Sequence, residues 1–206
     1  MTARKVDAWH AHSPTRRTRS WTGDDPAATE PEDDTMTRAD DATPEPAASA
    51  DDPVHRMRAL LAANQYMTLA TTDAEGRPWA STVWYAARVT TGDGGRTRVE
   101  LLWLSRPETQ HSRNLVDRPD LAISIFDSTQ PPDTGEGLQL AAHAGLGRPE
   151  DLGADIATFS TASVAAGGNV WGLETVRPPA ALRLYRATVD VAYVLHDGGR
   201  DPVPLG

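Results

Sequence analysis

The stretch PWASTVWYAARV, residues 78–89, decides the fold prediction. Its β-branched and aromatic residues favour a β-strand. Alternate positions of a strand point to opposite faces, and neither face here carries a charge before Arg88. One face holds Trp79, Ser81, Val83 and Tyr85, and the other holds Ala80, Thr82, Trp84 and Ala86. A strand with one solvated face would alternate more cleanly, so we predict that one face packs into a core and the other meets a partner subunit or a ligand.

The sequence on both sides of this strand predicts an antiparallel β-barrel with a few helices at its rim. A hairpin turn at 73–77, with Gly76 free to adopt a positive φ, joins 78–89 to the preceding strand. Most connections are too short for the crossovers that parallel strands need. We predict further strands at 66–72, 99–105, 121–128, 138–147 and 181–195, and helices at 53–64, 106–120 and 149–163. A shift in the apolar pattern of the last strand predicts a bulge near Tyr185–Arg186.

Composition divides the chain into three parts. Residues 1–52 contain one residue of the Leu, Ile, Val and Phe set, five prolines, and twelve acidic against six basic residues. Such a segment cannot bury enough apolar surface to offset its ordering entropy, and we predict a disordered acidic tail. Residues 53–198 form the folded domain, and 199–206 form a flexible C-terminal tail. Translation starts at Met1 or Met36, and the sequence leaves both open.

The composition also excludes several classes of function. The chain lacks cysteine, which excludes disulfides, thiolate metal sites and cysteine nucleophiles. Its net charge of −9 argues against a nucleic-acid partner, and no apolar run is long enough to span a membrane. The absence of cysteine fits a reducing compartment, so we expect a cytoplasmic protein. The scattered histidines predict neither a hydrolytic triad nor a metal site, and His143 is interpreted as a structural residue on an apolar strand.

The strand-to-helix segment LLWLSRPETQHSRNL, residues 101–115, is the best candidate site. A helix N-terminus offers unpaired amides and a partial positive charge to a phosphate. Ser105 and Arg106 stand at the predicted entrance, and His111 follows within two turns. The alternative is an ordinary capped surface helix. Trp84, Trp103 and Trp171 are interpreted as core or interface aromatics, with a planar ligand surface as the alternative.

Four segments in order resemble the pyridoxamine 5'-phosphate oxidase-like, FMN-binding split-barrel family. They are LATTDAEGRPWASTVWYA (69–86), LLWLSRPETQHSRNL (101–115), DRPDLAISIF (117–126) and RLYRATVDVAYVL (183–195). The resemblance covers about residues 54–195. It implies a six-stranded antiparallel Greek-key split barrel that forms a homodimer, with two flavin sites at the subunit interface.

The resemblance also implies roles for single residues. Four of them would line the flavin ring, namely Ser81, Thr82, Val83 and Trp84. Four would bind the phosphate, namely Ser105, Arg106, His111 and Ser112. Trp171 and Gln139 would approach from the other subunit. Oxidases proper of this family have Arg where Ser81 stands and Lys where Ala86 stands, and they end in an Arg-rich segment that this chain lacks. The resemblance therefore does not imply oxidation of pyridoxamine phosphate itself.

We accordingly expect an FMN-dependent oxidoreductase that acts on a small molecule, with no catalytic residue assigned. One alternative is a reductase that uses deazaflavin F420, whose acidic tail Arg77, Arg106 and Arg113 could serve. Others are a flavin-binding module without catalysis and a dimeric barrel with an empty site.

Overall fold

The computed structural model describes residues 52–196 and 199–206. The predicted tail, apart from Asp52, lies outside these residues, as do Met1 and Met36. The helices are α1 (Pro53–Ala63), α2 (Gln110–Asp117) and α3 (Leu152–Ala165). The strands are β1 (Tyr66–Thr72), β2 (Pro78–Trp84), β3 (Ala86–Thr91), β4 (Thr97–Ser105), β5 (Asp120–Phe126), β6 (Gly137–Leu146), β7 (Arg183–His196) and β8 (Gly199–Pro202).

All eight strands belong to one antiparallel sheet, in the order β2-β1-β5-β6-β7-β4-β3, with β8 also paired to β7. The mainly antiparallel class predicted from the sequence is confirmed, with eight strands instead of six. Residues 78–89 do not form one strand. They form β2 and β3, which pair with different strands at opposite ends of the sheet order. Because only Tyr85 separates β2 from β3, the sheet must curl until its two ends meet there.

Tyr85 breaks the strand because its side chain is anchored inward. Its phenol is buried, and its hydroxyl donates to the carbonyl of Leu61 at 3.0 Å. Its backbone N–H donates to the carbonyl of Gln65 at 3.3 Å. Both partners lie on the end of α1 or just after it. The segment after α1 therefore accepts the backbone hydrogen bond that a neighbouring strand would otherwise accept, and the end of α1 accepts the side-chain bond.

Two apolar clusters hold the sheet together. The larger fills the concave face, where the Trp103 ring stacks on Tyr185 with centroids 5.6 Å apart. Helix α1 closes one end of this core with Met57, and the Asp52 side chain caps the helix by accepting from the His55 N–H. The smaller cluster packs α3 on the other face of the sheet, through residues that include Phe159.

The bulge in β7 lies at Asp190 and not near Tyr185–Arg186, where we predicted it. Ala141 and Ala142 pair with Val191 and Val189, so the residue between them has no partner. The Asp190 carboxylate points outward and lies 3.0 Å from Nδ1 of His143. This exposed pair also corrects the interpretation of His143 as a structural residue of an apolar strand. The extra residue moves the buried side of β7 from odd to even positions.

The C-terminal residues differ from the flexible tail that we predicted. Residues 199–202 form β8, and Val203 is buried in the main core. The N–H of Gly206 donates to the carbonyl of Thr97 at 3.1 Å. Main-chain pairing and one apolar anchor thus order a segment whose proline and glycine content suggested fraying. Within the described part of the chain, no helix has the length and apolar character needed to cross a bilayer.

Candidate functional site

Helix α2 begins later than predicted. It starts at Gln110, and residues 106–109 form a turn in which the Thr109 N–H donates to the Arg106 carbonyl at 3.1 Å. Thr109 occupies the N-cap position. Ser105 is therefore the last residue of β4 and not part of the helix entrance. The turn delays the helix because Pro107, two residues after the strand, restricts the backbone before it.

Four hydroxyls surround one imidazole at this junction, and those of Ser105 and Ser112 are buried. Nε2 of His111 lies 2.8 Å from Oγ of Ser105, and Nδ1 lies 3.1 Å from Oγ of Ser81. The Thr109 hydroxyl donates to Oγ of Ser112 at 2.8 Å. We call these five residues the hydroxyl–imidazole cluster. The structure thus brings together Ser81, Ser105, His111 and Ser112, four of the eight residues that the resemblance implied for the flavin ring and the phosphate.

His111 acts in this cluster as a neutral hydrogen-bonding group. Its side chain is buried, and burial lowers the pKa of the imidazole below its ordinary value of 6.5. A neutral imidazole donates through one nitrogen and accepts through the other. His111 therefore links Ser81 on β2 to Ser105 on β4, and it does not supply the positive charge that a phosphate would need. Arg106, which the resemblance also implied for the phosphate, has an exposed side chain.

Polar contacts that the sequence analysis missed hold α2 in place. The Asn114 side chain donates to Oγ1 of Thr71 at 3.0 Å, and the Gln110 amide donates to Oδ1 of Asn114 at 2.8 Å. Asn114 and Thr71 are both buried. The sequence signal for these contacts was Asn114, a polar residue next to the apolar Leu115 of the same helix. A polar side chain that is buried with such a residue requires a hydrogen-bond partner.

The other predicted ring-lining residues open onto a cavity of about 580 Å³ between β2 and α3. Its lining residues include Thr82, Val83, Trp84, Leu104, Phe159 and Trp171. We call it the β2–α3 cavity. Its volume lies within the range of about 300–1,000 Å³ that is typical of small-molecule sites. Trp171 thus reaches the cavity from within the same chain, whereas we expected it from the other subunit.

Three aromatic rings form one wall of this cavity. Phe159 meets Trp84 edge to face, with centroids 4.9 Å apart, and meets Trp171 at 6.1 Å. Trp171 is fixed by α3, because its N–H donates to Ser160 at 2.9 Å and its indole N–H donates to Ser163 at 3.1 Å. These bonds preorganise an aromatic surface that suits a planar ligand.

The cavity and the hydroxyl–imidazole cluster lie on opposite sides of the same strands. Thr82 follows Ser81 on β2, and Leu104 precedes Ser105 on β4, so consecutive side chains point to opposite faces. Within residues 52–196 and 199–206, strand β2 pairs only with β1, so no described strand pairs with its other edge. A ligand that contacts both sites would pass along this edge.

Two predicted residues lie elsewhere. Gln139 is on β6 and lines a separate cavity of about 310 Å³ with Phe126 and Leu195. Arg77, considered for the acidic tail of F420, is held by Asp73 at 2.6 Å and by Glu75 at 2.9 Å. Within residues 52–196 and 199–206, no three His, Cys, Asp or Glu side chains are placed to hold a metal ion.

The chain is similar to a known protein family and to several solved structures. The family described as pyridoxamine 5'-phosphate oxidase matches residues 54–195, more than half of the chain. No curated protein matches the sequence. A haem-binding protein from Mycobacterium smegmatis is similar in structure, with 24% identity and a TM-score of 0.54 over 71% of this chain and 55% of that one. This chain therefore spans about half the length of the mycobacterial protein.

Two further solved structures share the fold. HutZ, the haem storage protein of Vibrio cholerae, has 20% identity and a TM-score of 0.52, covering 71% of this chain and 96% of its own. Protein Atu2129 of Agrobacterium tumefaciens, of unknown function, has 18% identity and a TM-score of 0.52, covering 74% and 61%. At these identities the similarity shows the fold alone.

Proposed function

The chain belongs to the pyridoxamine 5'-phosphate oxidase family, and from this premise we propose that it is an FMN-binding oxidoreductase that acts on a small molecule. The single observation that carries the proposal is the β2–α3 cavity with its aromatic wall. When bound, the flavin supplies hydride or electron transfer. The protein's part is to hold the ring, orient it and keep water from it.

The residues that line the cavity fit a flavin ring. Trp84, Phe159 and Trp171 offer apolar surface, and Thr82 on β2 offers a hydroxyl and strand amides at the edge. Ring systems with polar rims bind where apolar walls meet a few fixed hydrogen-bonding groups. The serine bonds to Trp171 hold that wall in one geometry, which reduces the entropy cost of binding.

The phosphate end is proposed to lie at the start of α2. Arg106 supplies the positive charge, the N–H groups of the first helical turn point outward, and Ser105 and Ser112 supply hydroxyls. His111 is a positioning residue here, because its two ring nitrogens hold Ser81 and Ser105. For Ser105 to contact a phosphate, its hydroxyl must turn from the cluster toward the ligand.

Two other cofactors fit less well. Among the described residues that line the cavity are no His, Cys or Met, and Tyr66 is the one side chain there of a type that ligates haem iron. F420 needs a basic groove, but Arg77 is occupied by two carboxylates, and Arg113 donates to the Gln110 side chain. FMN is therefore the favoured cofactor.

We also propose that the protein is a homodimer. An uncharged row runs in register across the outer face of the sheet, from Ala80 through Ala70, Ala122 and Ala141 to Val191. These residues are exposed in the single chain. Small apolar side chains allow a second sheet to approach closely, and a second copy would cover this row.

The test is purification without added cofactor, followed by absorbance spectroscopy and titration with FMN. Absorbance of bound flavin, or saturable binding of added FMN, is the expected result. A colourless protein that does not bind added FMN contradicts the proposal. If such a protein also gives a Soret band on titration with haemin, a haem-binding function replaces the flavin one. Competition with F420 distinguishes the two flavins.

A double variant tests the phosphate end. Ser105→Ala with His111→Ala removes one charge-assisted bond from the Ser105 hydroxyl to the phosphate, worth about 1.5–3 kcal/mol, and also the imidazole that positions Ser105, so FMN binding should weaken by about 2–4 kcal/mol. The matched control is Ser128→Ala with His143→Ala, two exposed positions away from the cluster. If both pairs bind FMN as the unmodified chain does, the phosphate lies elsewhere.

A further inference from the structure

A second cavity of about 580 Å³ lies between the end of α1, the start of β3 and the end of α3. We call it the α1–α3 cavity. It has no role in the proposed FMN site. Alanines such as Ala87 on β3 and Ala162 and Ala165 on α3 leave the space open, and their methyl groups make the walls apolar. Its volume is again that of a small-molecule site.

Arg58 is the one charged residue among the described residues that line this cavity. It projects from α1, and its guanidinium donates to the Val89 carbonyl at 3.4 Å and to Oγ1 of Thr91 at 3.0 Å. Both acceptors are neutral, and in the described part of the chain no carboxylate lies within 4 Å of Arg58. Its neighbour Arg56, by contrast, is paired with Glu136 and Asp201.

This arrangement defines the chemistry of a ligand. A guanidinium has five N–H donors in a fixed fork, so Arg58 keeps donors beyond the two that it uses. The fork matches a carboxylate in a bidentate geometry. The side chains of Asn64 and Gln65 bring amides to the same cavity. Apolar walls with one cation and amides select a molecule with an apolar body and one carboxylate.

The two cavities share part of their walls. Gln65, Trp84 and Ala166 line both, so Trp84 separates them. A ligand on one side of Trp84 restricts the ring that a ligand on the other side contacts. Binding in the two cavities should therefore be coupled, and the coupling must be reciprocal.

The wall formed by α3 is fixed to the sheet. Asp155 on α3 is fully buried and lies 2.9 Å from Arg88 on β3 and 3.3 Å from Arg186 on β7. These contacts hold the helix at a set distance from β3. The cavity is therefore preformed in the folded chain.

We propose that the α1–α3 cavity binds a small organic carboxylate with an apolar body, its carboxylate against Arg58. This proposal does not depend on FMN. Titration calorimetry with phenylpropionate and with its uncharged analogue phenylpropanol tests it, first on the protein without flavin. The acid should bind roughly ten- to a hundredfold more tightly than the alcohol, from one charge-assisted contact.

Variants separate the charge from the space. Arg58→Gln should remove the preference for the acid, whereas Arg118→Gln, which changes an exposed arginine that also donates to a backbone carbonyl, should keep it. Ala165→Leu should weaken both probes by filling the cavity. Ala157→Leu, on the exposed side of α3, should not. Equal binding of acid and alcohol, an Arg58→Gln variant that still prefers the acid, or no binding of phenylpropionate overturns the proposal.

The same titration in the presence of FMN distinguishes the two proposals. Phenylpropionate that binds the flavin-free protein supports the carboxylate site even if FMN never binds. If both bind, the acid should change the affinity for FMN, and Arg58→Gln should abolish that change. Independent binding of the two would contradict the shared role of Trp84.

Discussion

Replacing the buried carboxylate of Asp155 with an amide tests how α3 is held against the sheet. Asp155 is fully buried, and its two oxygens contact Arg88 at 2.9 Å and Arg186 at 3.3 Å. Asp155→Asn keeps the shape and removes the charge. Both guanidiniums then still have carboxylate partners, Glu100 at 2.8 Å from Arg88, and Asp151 at 3.0 Å and Glu100 at 3.8 Å from Arg186.

The expected loss follows from these remaining partners. Breaking a buried ion pair and leaving one charge uncompensated costs about 3–5 kcal/mol. Here each arginine keeps a carboxylate, and the side chains of Arg88 and Arg186 are 25% and 13% exposed. We therefore expect the free energy of unfolding to fall by about 2–3 kcal/mol, below the range for a pair that loses every partner.

Urea unfolding followed by fluorescence measures this loss. With a slope of about 2 kcal/mol per molar urea, the midpoint should fall by about 1–1.5 M. The matched control is Asp190→Asn, which removes a carboxylate from the exposed pair with His143 and should cost about 0–1 kcal/mol. If Asp155→Asn and Asp190→Asn shift the midpoint equally, the buried cluster does not hold α3 as we argue.

Three further predictions concern single buried groups. Burial lowers the pKa of His111 in the folded state, so as the pH falls the unfolded chain takes up the proton before the folded chain does. The contribution of neutral His111 to the free energy of unfolding is therefore complete above about pH 6.5, and it is lost as the pH falls from there toward the pKa of the folded state. His111→Gln should flatten the fall in the urea midpoint between about pH 7 and 5, and a variant with the same fall as the unmodified chain would contradict this role of His111. Tyr85→Phe removes the buried bond to the Leu61 carbonyl and should cost about 1–3 kcal/mol in the same assay, and a cost near zero would show that this bond is not needed. The indole N–H of Trp103 is buried without a hydrogen-bond partner among the described residues. Trp103→Phe should therefore lower the free energy of unfolding by less than the roughly 3–5 kcal/mol that is typical of removing a large aromatic side chain, and thermal unfolding would measure this loss.

Local patterns predicted most elements of the fold. The helix predicted to start at residue 53, the turn with Gly76 at φ 81°, and strand 66–72 all agree with the structure. Each depends on residues close in the chain, through capping, backbone freedom or hydrophobic alternation. The family resemblance was likewise confirmed over residues 54–195.

The misses have a common physical cause, which is tertiary contact. Tyr85 interrupts a uniform strand pattern because its hydroxyl donates a hydrogen bond to a carbonyl of α1. Asp190 leaves the strand ladder at the point where His143 on the neighbouring strand lies close enough to pair with it. Neither partner is close in sequence. Three of the four predicted phosphate residues, Ser105, His111 and Ser112, lie together, but the pairing of His111 with Ser81 spans 30 positions along the chain. No local pattern reports a contact of that kind.

The junction at Tyr85 has a consequence for how this molecule would come apart. Backbone ladders join every neighbouring pair in the sheet order, but among the described strands no ladder joins β2 to β3, which are connected through Tyr85 and the side chains around it. Local opening should start where ladder bonds are fewest. Both cavities meet at Trp84, one residue from this junction. A ligand bound on either side of that indole would hold β2 and β3 together. Its binding should slow hydrogen exchange most at the backbone amides near this junction.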